Sequence, residues 1–150
     1  MSSAGRDLQR LERARELGAD EAVELDGDLA AACGGDGPTV VIDPLWDGPV
    51  AAATEAAAPH ARIVHYGQSA GPEATFKSGT MRGKELELLG VSNFARTNDE
   101  LRELHGELLR HAESGAIQVD FETFSLDEVD GAWRRQAAGA KAVVAIGNAR

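Results

Sequence analysis

Four histidines, one cysteine and a scatter of polar residues are the side chains in this sequence with chemistry to offer. His60 and His65 flank a run with strand character, while His105 and His111 lie on one helical stretch at a spacing that does not align them. A metal ion needs imidazoles to converge with carboxylates or thiolates, and no such convergence is predicted. No spacing places a serine, a histidine and an acid in the arrangement that nucleophilic catalysis uses. Cys33 stands between Ala32 and Gly34 with no histidine nearby in sequence to activate it, so it reads as a small apolar residue, buried or half-buried. Trp46 and Trp133 read as packing anchors rather than stacking platforms. What remains is a set of polar and glycine residues closing apolar runs: Asp43-Pro44, Gly67-Gln68-Ser69 and Ser92-Asn93-Phe94.

Those runs belong to an alternating series of strands and helices. Leu8, Leu11, Ala14 and Leu17 fall on one helical face, with Gly18 placed to end the helix in the left-handed conformation. A short strand is predicted from Ala22 to Leu25, then a short helix from Asp28 to Cys33. Thr39 to Ile42 is a β-branched run of the kind buried on both faces of a sheet, and Asp43-Pro44 stops it. The alanine-rich stretch Val50 to Ala58 predicts a helix closed by Pro59, and Arg62 to Tyr66 predicts another buried strand. Gln68 to Gly83 reads as a long loop with one helical turn, and Glu85 to Val91 as the next strand. Thr97 and Glu100 form a capping box ahead of Leu101, Leu104, Leu108 and Ala112, with Gly115 ending that helix. Ser125 and Glu128 repeat the device ahead of Leu126, Val129 and Trp133. Strands are expected before and after it, at Ile117 to Phe124 and Ala142 to Ile146. This alternation implies an α/β, doubly wound fold with a mainly parallel sheet, in which chemistry sits beyond the carboxyl ends of the strands.

The bulk numbers bound the function. With 150 residues, 43 % of them apolar and 27 % charged, the chain suits one globular domain with a real core. A formal net charge of −10 argues against a nucleic-acid partner, because a phosphate backbone repels such a surface. A single cysteine permits no internal disulfide and suits a cytoplasmic protein. No apolar run reaches the length of a membrane span, and no signal peptide precedes the first charged residues.

Read in order, the motifs run from Gly5-Arg6-Asp7 through Arg13-Ala14-Arg15-Glu16-Leu17-Gly18-Ala19-Asp20 to Val40-Val41-Ile42-Asp43-Pro44. Arg62-Ile63-Val64-His65-Tyr66-Gly67 and Leu88-Leu89-Gly90-Val91-Ser92-Asn93 follow. This order resembles the cofactor domain of the medium-chain dehydrogenase/reductase superfamily, especially its zinc-free quinone-oxidoreductase-like branch. The resemblance covers nearly the whole chain, and residues 119–150 are similar to the family's closing strand-helix-strand segment. It implies an incomplete Rossmann-like domain lacking its first strand, first helix and most of its second strand. Met1 to Gly5 would sit where the family's second strand ends, and the family's Gly-rich pyrophosphate turn is not in the sequence. In the usual 3-2-1-4-5-6 strand order the missing first strand is central, leaving the strand at Ala22 with nothing to join it to the strand at Thr39.

The resemblance also implies roles. Gly5 stands where NAD-dependent relatives carry an acid, with Arg6 beside it and Arg10 a helical turn further on, the pattern of NADP users. Guanidinium groups hold phosphates bidentately, although both arginines also suit a solvated helix that already carries Arg13 and Arg15. Asp43 and Leu45 would lie near the adenosine, or Asp43 would cap the following turn. Gly67, Gln68 and Ser69 would pass the nicotinamide ribose, or simply lead from strand to loop. Ser92, Asn93 and Phe94 would border the nicotinamide, or form the turn before Thr97. Lys141 is similar to a family lysine that closes toward the cofactor, or is a surface lysine. No catalytic residue and no metal site is implied.

The function so implied is that of the C-terminal cofactor-binding part of an NADPH-dependent quinone, enone or alcohol oxidoreductase, weakly active or inactive alone. The alternatives are a non-catalytic interaction module and a truncated gene model. The resemblance further implies partners: a homodimer through the edge strand at 85–91, or a complementing catalytic chain.

Overall fold

The computed structural model describes residues 1–147, and every strand pair among them is parallel. The chain divides into two compact units, Met1–Ala95 and Arg96–Arg150. Seven strands and six α-helices alternate along the described residues.

The first unit opens with β1 (Ser2–Gly5), α1 (Leu8–Glu16) and β2 (Glu21–Glu24). Asp7 starts α1 by accepting hydrogen bonds from the Gln9 and Arg10 amides at 3.0 and 3.2 Å. Of the expected apolar face only Leu11 is buried; Leu8 and Leu17 remain exposed. Gly18, at φ +102°, reverses the chain as its position predicts. β1 and β2 pair in register Ser3↔Ala22 and Gly5↔Glu24.

After α2 (Leu29–Cys33), which leaves Cys33 half-buried, comes a separate three-stranded sheet in the order β3-β4-β5. Its strands are β3 (Val40–Asp43), β4 (Arg62–His65) and β5 (Glu87–Gly90), with α3 (Asp47–Ala56) and α4 (Ser78–Gly83) between them. The two sheets are not hydrogen-bonded to each other. The core lies under α3, where Val50, Ala57, Ala61 and Ile63 pack with Val41, Trp46, Phe76 and Leu86. Helix α3 begins three residues before the sequence-based expectation, because Asp43 accepts from the Leu45 and Trp46 amides and turns the chain early. It ends at Ala56, where Ala57 turns extended ahead of Pro59. The Lys84 ammonium then donates to the carbonyls of Glu55 and Ala57 at 2.6 and 2.7 Å, satisfying the helix's last acceptors.

One expectation about β3 fails. Val41 faces the core, but Val40 and Ile42 are 44 % and 60 % exposed, so the strand is covered on one face only. Its β-branched pattern is that of a doubly covered strand, and no described element packs over the second face.

The second unit contains α5 (Asn98–Glu113), β6 (Glu122–Ser125), α6 (Val129–Ala137) and β7 (Ala142–Ala145). Both capping boxes form: Glu100 accepts from the Thr97 amide at 2.8 Å and Glu128 from the Ser125 amide at 2.9 Å. The second box opens a single 3₁₀ turn before α6 rather than the helix itself. β6 is shorter than the alternation from Ile117 suggests, because the Ala116 and Ile117 amides close the C-terminus of α5 on the His111 carbonyl. Trp133 is 78 % exposed, which corrects its reading as an anchor; Ala132 is the α6 residue that packs. Trp46 does anchor the core of the first unit. Of the expected final strand, Ile146 lies just beyond β7.

Candidate functional site

Parallel strands deliver their carboxyl ends to one rim, and in the first unit that rim holds a cleft of about 340 Å³. Arg6 enters it from the residue after β1, and Leu25 and Asp26 from the turn after β2. Opposite them stand Leu45, Gly48 and Pro49, which follow β3, with Ala70 from the loop after β4. Leu25, Leu45 and Pro49 make the walls apolar, while Arg6 and Asp26 bring opposite charges to the mouth. Such a slot can hold a flat apolar ring and one anionic group.

The wall after β3 is built by a buried pair. Asp43 is 4 % exposed, and its carboxylate accepts from the Leu45 and Trp46 amides, both at 3.0 Å. It also meets His65 Nδ1 at 2.9 Å, because β3 and β4 place the two residues directly opposite in register. The Trp46 ring lies 4.0 Å from the His65 ring, centroid to centroid. This tight turn forces Trp46 and Asp47 to positive φ, 63° and 55°. Trp46, with ψ −163°, occupies a region that non-glycine residues reach at a cost of about 1–3 kcal/mol, so the turn is held by its contacts against its own backbone preference.

Of the candidates read from sequence, Arg6 and Leu45 meet in the cleft. Arg10 does not line it; on α1 it lies 3.7 Å from the Asp7 carboxylate. Asp43 is the turn cap, its carboxylate committed to the backbone and His65. Gly67 is fixed by close packing, since a Cβ there would stand 2.6 Å from the Pro44 carbonyl oxygen. Gln68 and Ser69 are exposed, and the Ser69 amide donates to that same carbonyl at 3.4 Å. Ser92, Asn93 and Phe94 form the turn after β5, where the Ser92 hydroxyl accepts from the Phe94 amide at 3.2 Å and Phe94 is fully exposed. Lys141 belongs to the second unit, where its carbonyl accepts from the Glu122 amide as β7 begins. Leu25, Asp26, Gly48, Pro49 and Ala70 were not anticipated: they lie in turns without a local motif, and only the fold brings them together. The histidines stay apart, and no three of His, Cys, Asp and Glu gather around a metal position among the described residues. No described helix is long and apolar enough to cross a membrane.

Comparison with known proteins gives the family and the fold. The zinc-binding dehydrogenase family matches residues 17–142. No curated protein matches the sequence. Among solved structures, benzyl alcohol dehydrogenase from Acinetobacter calcoaceticus superposes with a TM-score of 0.80 at 20 % identity, over 97 % of this chain and 42 % of that one. A quinone oxidoreductase from Pseudomonas syringae pv. Tomato DC3000 gives 0.77 at 20 % identity, over 97 % of this chain and 48 % of that one. An Escherichia coli CFT073 protein described as a short chain alcohol dehydrogenase, solved with NADH, gives 0.75 at 26 % identity, over 97 % and 44 %. The chain thus spans less than half the length of these structures, and the part it spans is Rossmann-like.

Proposed function

We propose a function from one premise: this chain belongs to the zinc-binding dehydrogenase family. On that premise it is the cofactor-binding part of an oxidoreductase, and its cofactor is NADP. The observation that carries the choice is Arg6, an exposed guanidinium lining a cleft whose other walls, Asp26 apart, are apolar. The apolar walls suit an adenine ring, and a guanidinium suits the 2′-phosphate that separates NADP from NAD. When bound, the nicotinamide supplies the hydride chemistry; the residues here bind and orient the dinucleotide. Leu45 and Pro49 would sandwich the ring with Leu25, and the Asp43–His65 pair would hold that wall in place.

The described residues do not fit a zinc ion, so the family's name brings no metal step to this chain. Reduction of a quinone- or enone-like acceptor by NADPH is the reaction we assign to the whole assembly, with this chain weakly active or inactive by itself. A cytoplasmic location accords with the single cysteine.

Titration with NADPH and NADH, followed by nicotinamide fluorescence, tests the reading. Arg6→Ala should weaken NADPH by about ten- to a hundredfold while leaving NADH nearly unchanged, since a charge-assisted hydrogen bond contributes about 1.5–3 kcal/mol. Arg10→Ala should change the ratio little, because Arg10 lies outside the cleft. Equal loss of both cofactors in Arg6→Ala, or no binding at millimolar NADPH, would overturn it.

A second reading, a dimerisation module, is favoured by one observation. All four residues of β5 are exposed, including Leu88 and Leu89, and the strand is a sheet edge. A homodimer through residues 85–91 would cover them. Leu89→Lys should then shift the chain to monomer on size-exclusion chromatography; a wild-type monomer at all concentrations would exclude this reading.

A further inference from the structure

We propose that Asp26 selects the base of the cofactor: its carboxylate accepts a hydrogen bond from the exocyclic amine of adenine, while Arg6 holds the 2′-phosphate. This rests on the NADP reading of the cleft and adds a second point of recognition to it. Of the side chains lining the cleft, those of Arg6 and Asp26 alone are charged, and the others are apolar or glycine. Apolar walls hold a ring without orienting it, and in small-molecule sites a few placed polar groups supply the orientation.

Local structure puts the two charges on one wall in a fixed order. Register pairs Gly5 with Glu24, so Arg6 and Leu25 leave their strands side by side, and the Leu25 amide donates to the Gly5 carbonyl at 2.9 Å. Asp26 then follows Leu25 around a tight turn, closed by the Gly27 amide on the Glu24 carbonyl at 2.9 Å. Close packing fixes that turn, since a Cβ on Gly27 would stand 3.0 Å from the same carbonyl oxygen and from the Val23 side chain. The wall therefore runs guanidinium, leucine, carboxylate. 2′-Phosphoadenosine presents its groups in the matching order: phosphate on the ribose, then the purine ring, then the amine on the ring's far edge. With the phosphate on Arg6 and the ring on Leu25, the amine is the group left for Asp26.

Arg6 and Asp26 are both exposed, and among the described residues neither has a hydrogen-bond or ion-pair partner. A carboxylate only accepts, so it favours a base edge that donates and opposes one that presents a carbonyl oxygen. Adenine carries an amine where hypoxanthine carries a carbonyl oxygen, so Asp26 separates the two bases. An acid at a strand end can instead grip the ribose hydroxyls. Asp26 suits that task less, because Leu25 stands between it and the end of β1, where Arg6 meets the ribose phosphate.

Fluorescence titration of the intact chain with NADPH, NADH and the hypoxanthine analogue of NADPH tests this. The wild type should bind NADPH about three- to tenfold more tightly than the hypoxanthine form, a modest ratio because the carboxylate is exposed. Asp26→Asn, whose amide both donates and accepts, should bring that ratio to about one. Asparagine suits the same turn, so the walls stay in place. A ratio between two bases is also insensitive to a general loosening of the cleft. Arg6→Ala should leave the base ratio unchanged while it removes the preference for NADPH over NADH. Equal affinity of the wild type for the two bases overturns the proposal, and so does a base preference that survives Asp26→Asn. Loss of NADH affinity in Asp26→Asn with the base preference kept would assign the carboxylate to the ribose hydroxyls, and likewise overturns it. In each of these cases a cofactor preference lost in Arg6→Ala leaves the NADP reading standing. No binding of any of the three at millimolar concentration removes both.

Discussion

Asp43 is nearly inaccessible to water, yet its carboxylate accepts from two backbone amides and meets an imidazole. Asp43→Ala removes three interactions at once and leaves buried donors without acceptors, at a cost of about 3 kcal/mol in urea unfolding. Asp43→Asn keeps the oxygen that caps the turn, so it should cost about half as much if the backbone amides dominate. Gly67 makes the matching steric case. A methyl group 2.6 Å from the Pro44 carbonyl must push the β3 turn outward, so Gly67→Ala should destabilise by about 1–3 kcal/mol and also weaken NADPH binding through Leu45. Asp43 is legible in the sequence as a strand-ending acid, and turn capping is one of the two roles it suggests. Its partner is not legible, because His65 lies 22 residues away and only the β3–β4 register brings the two together. Arg6 and Leu45 could be named for the same reason that Asp26 and Ala70 could not: the former sit in a recognisable motif, the latter in turns defined only by the completed rim.

At the level of elements, local chemistry predicts starts better than lengths. Thr97 and Ser125 begin their elements where their capping boxes require. Helix α3 begins early because the turn before it is held by Asp43, which lies inside the preceding strand and belongs to a tertiary pair. β6 stops short of Ile117 because the exit of α5 claims that residue's amide, which alternation alone does not reveal. The boxes also make a pH prediction. The Thr97 backbone amide, then its side chain, hold Glu100 below its ordinary value of 4.5, and Ser125 does the same for Glu128. A carboxylate whose folded value is depressed contributes stability that is fully present above the unfolded value and lost as pH falls through the folded one. The helical circular dichroism signal should therefore decline as acid is added below pH 4.5, and the double variant Glu100→Gln/Glu128→Gln should flatten that decline. An unchanged acid profile in the double variant would remove the boxes as its cause.

Across the whole molecule, burial is uneven. Among the described residues of the second unit only Ala132 is buried, and the 16-residue helix α5 has no buried residue at all. The first unit holds Val50, Ala61 and Ile63 at 1 % exposure or less. Amide exchange should therefore be fastest across α5 and α6 and slowest across β4 and α3, because opening a region with little buried apolar surface costs little. Equal protection of the two units would contradict that ranking. The open edges of β1, β3 and β5 have one more consequence, for handling the protein in solution. Unpaired edges are templates for aggregation, and here mutual repulsion from a net charge of −10 opposes that association. Acid that neutralises the carboxylates, or salt that screens them, should turn a clear solution turbid before the fold itself is lost.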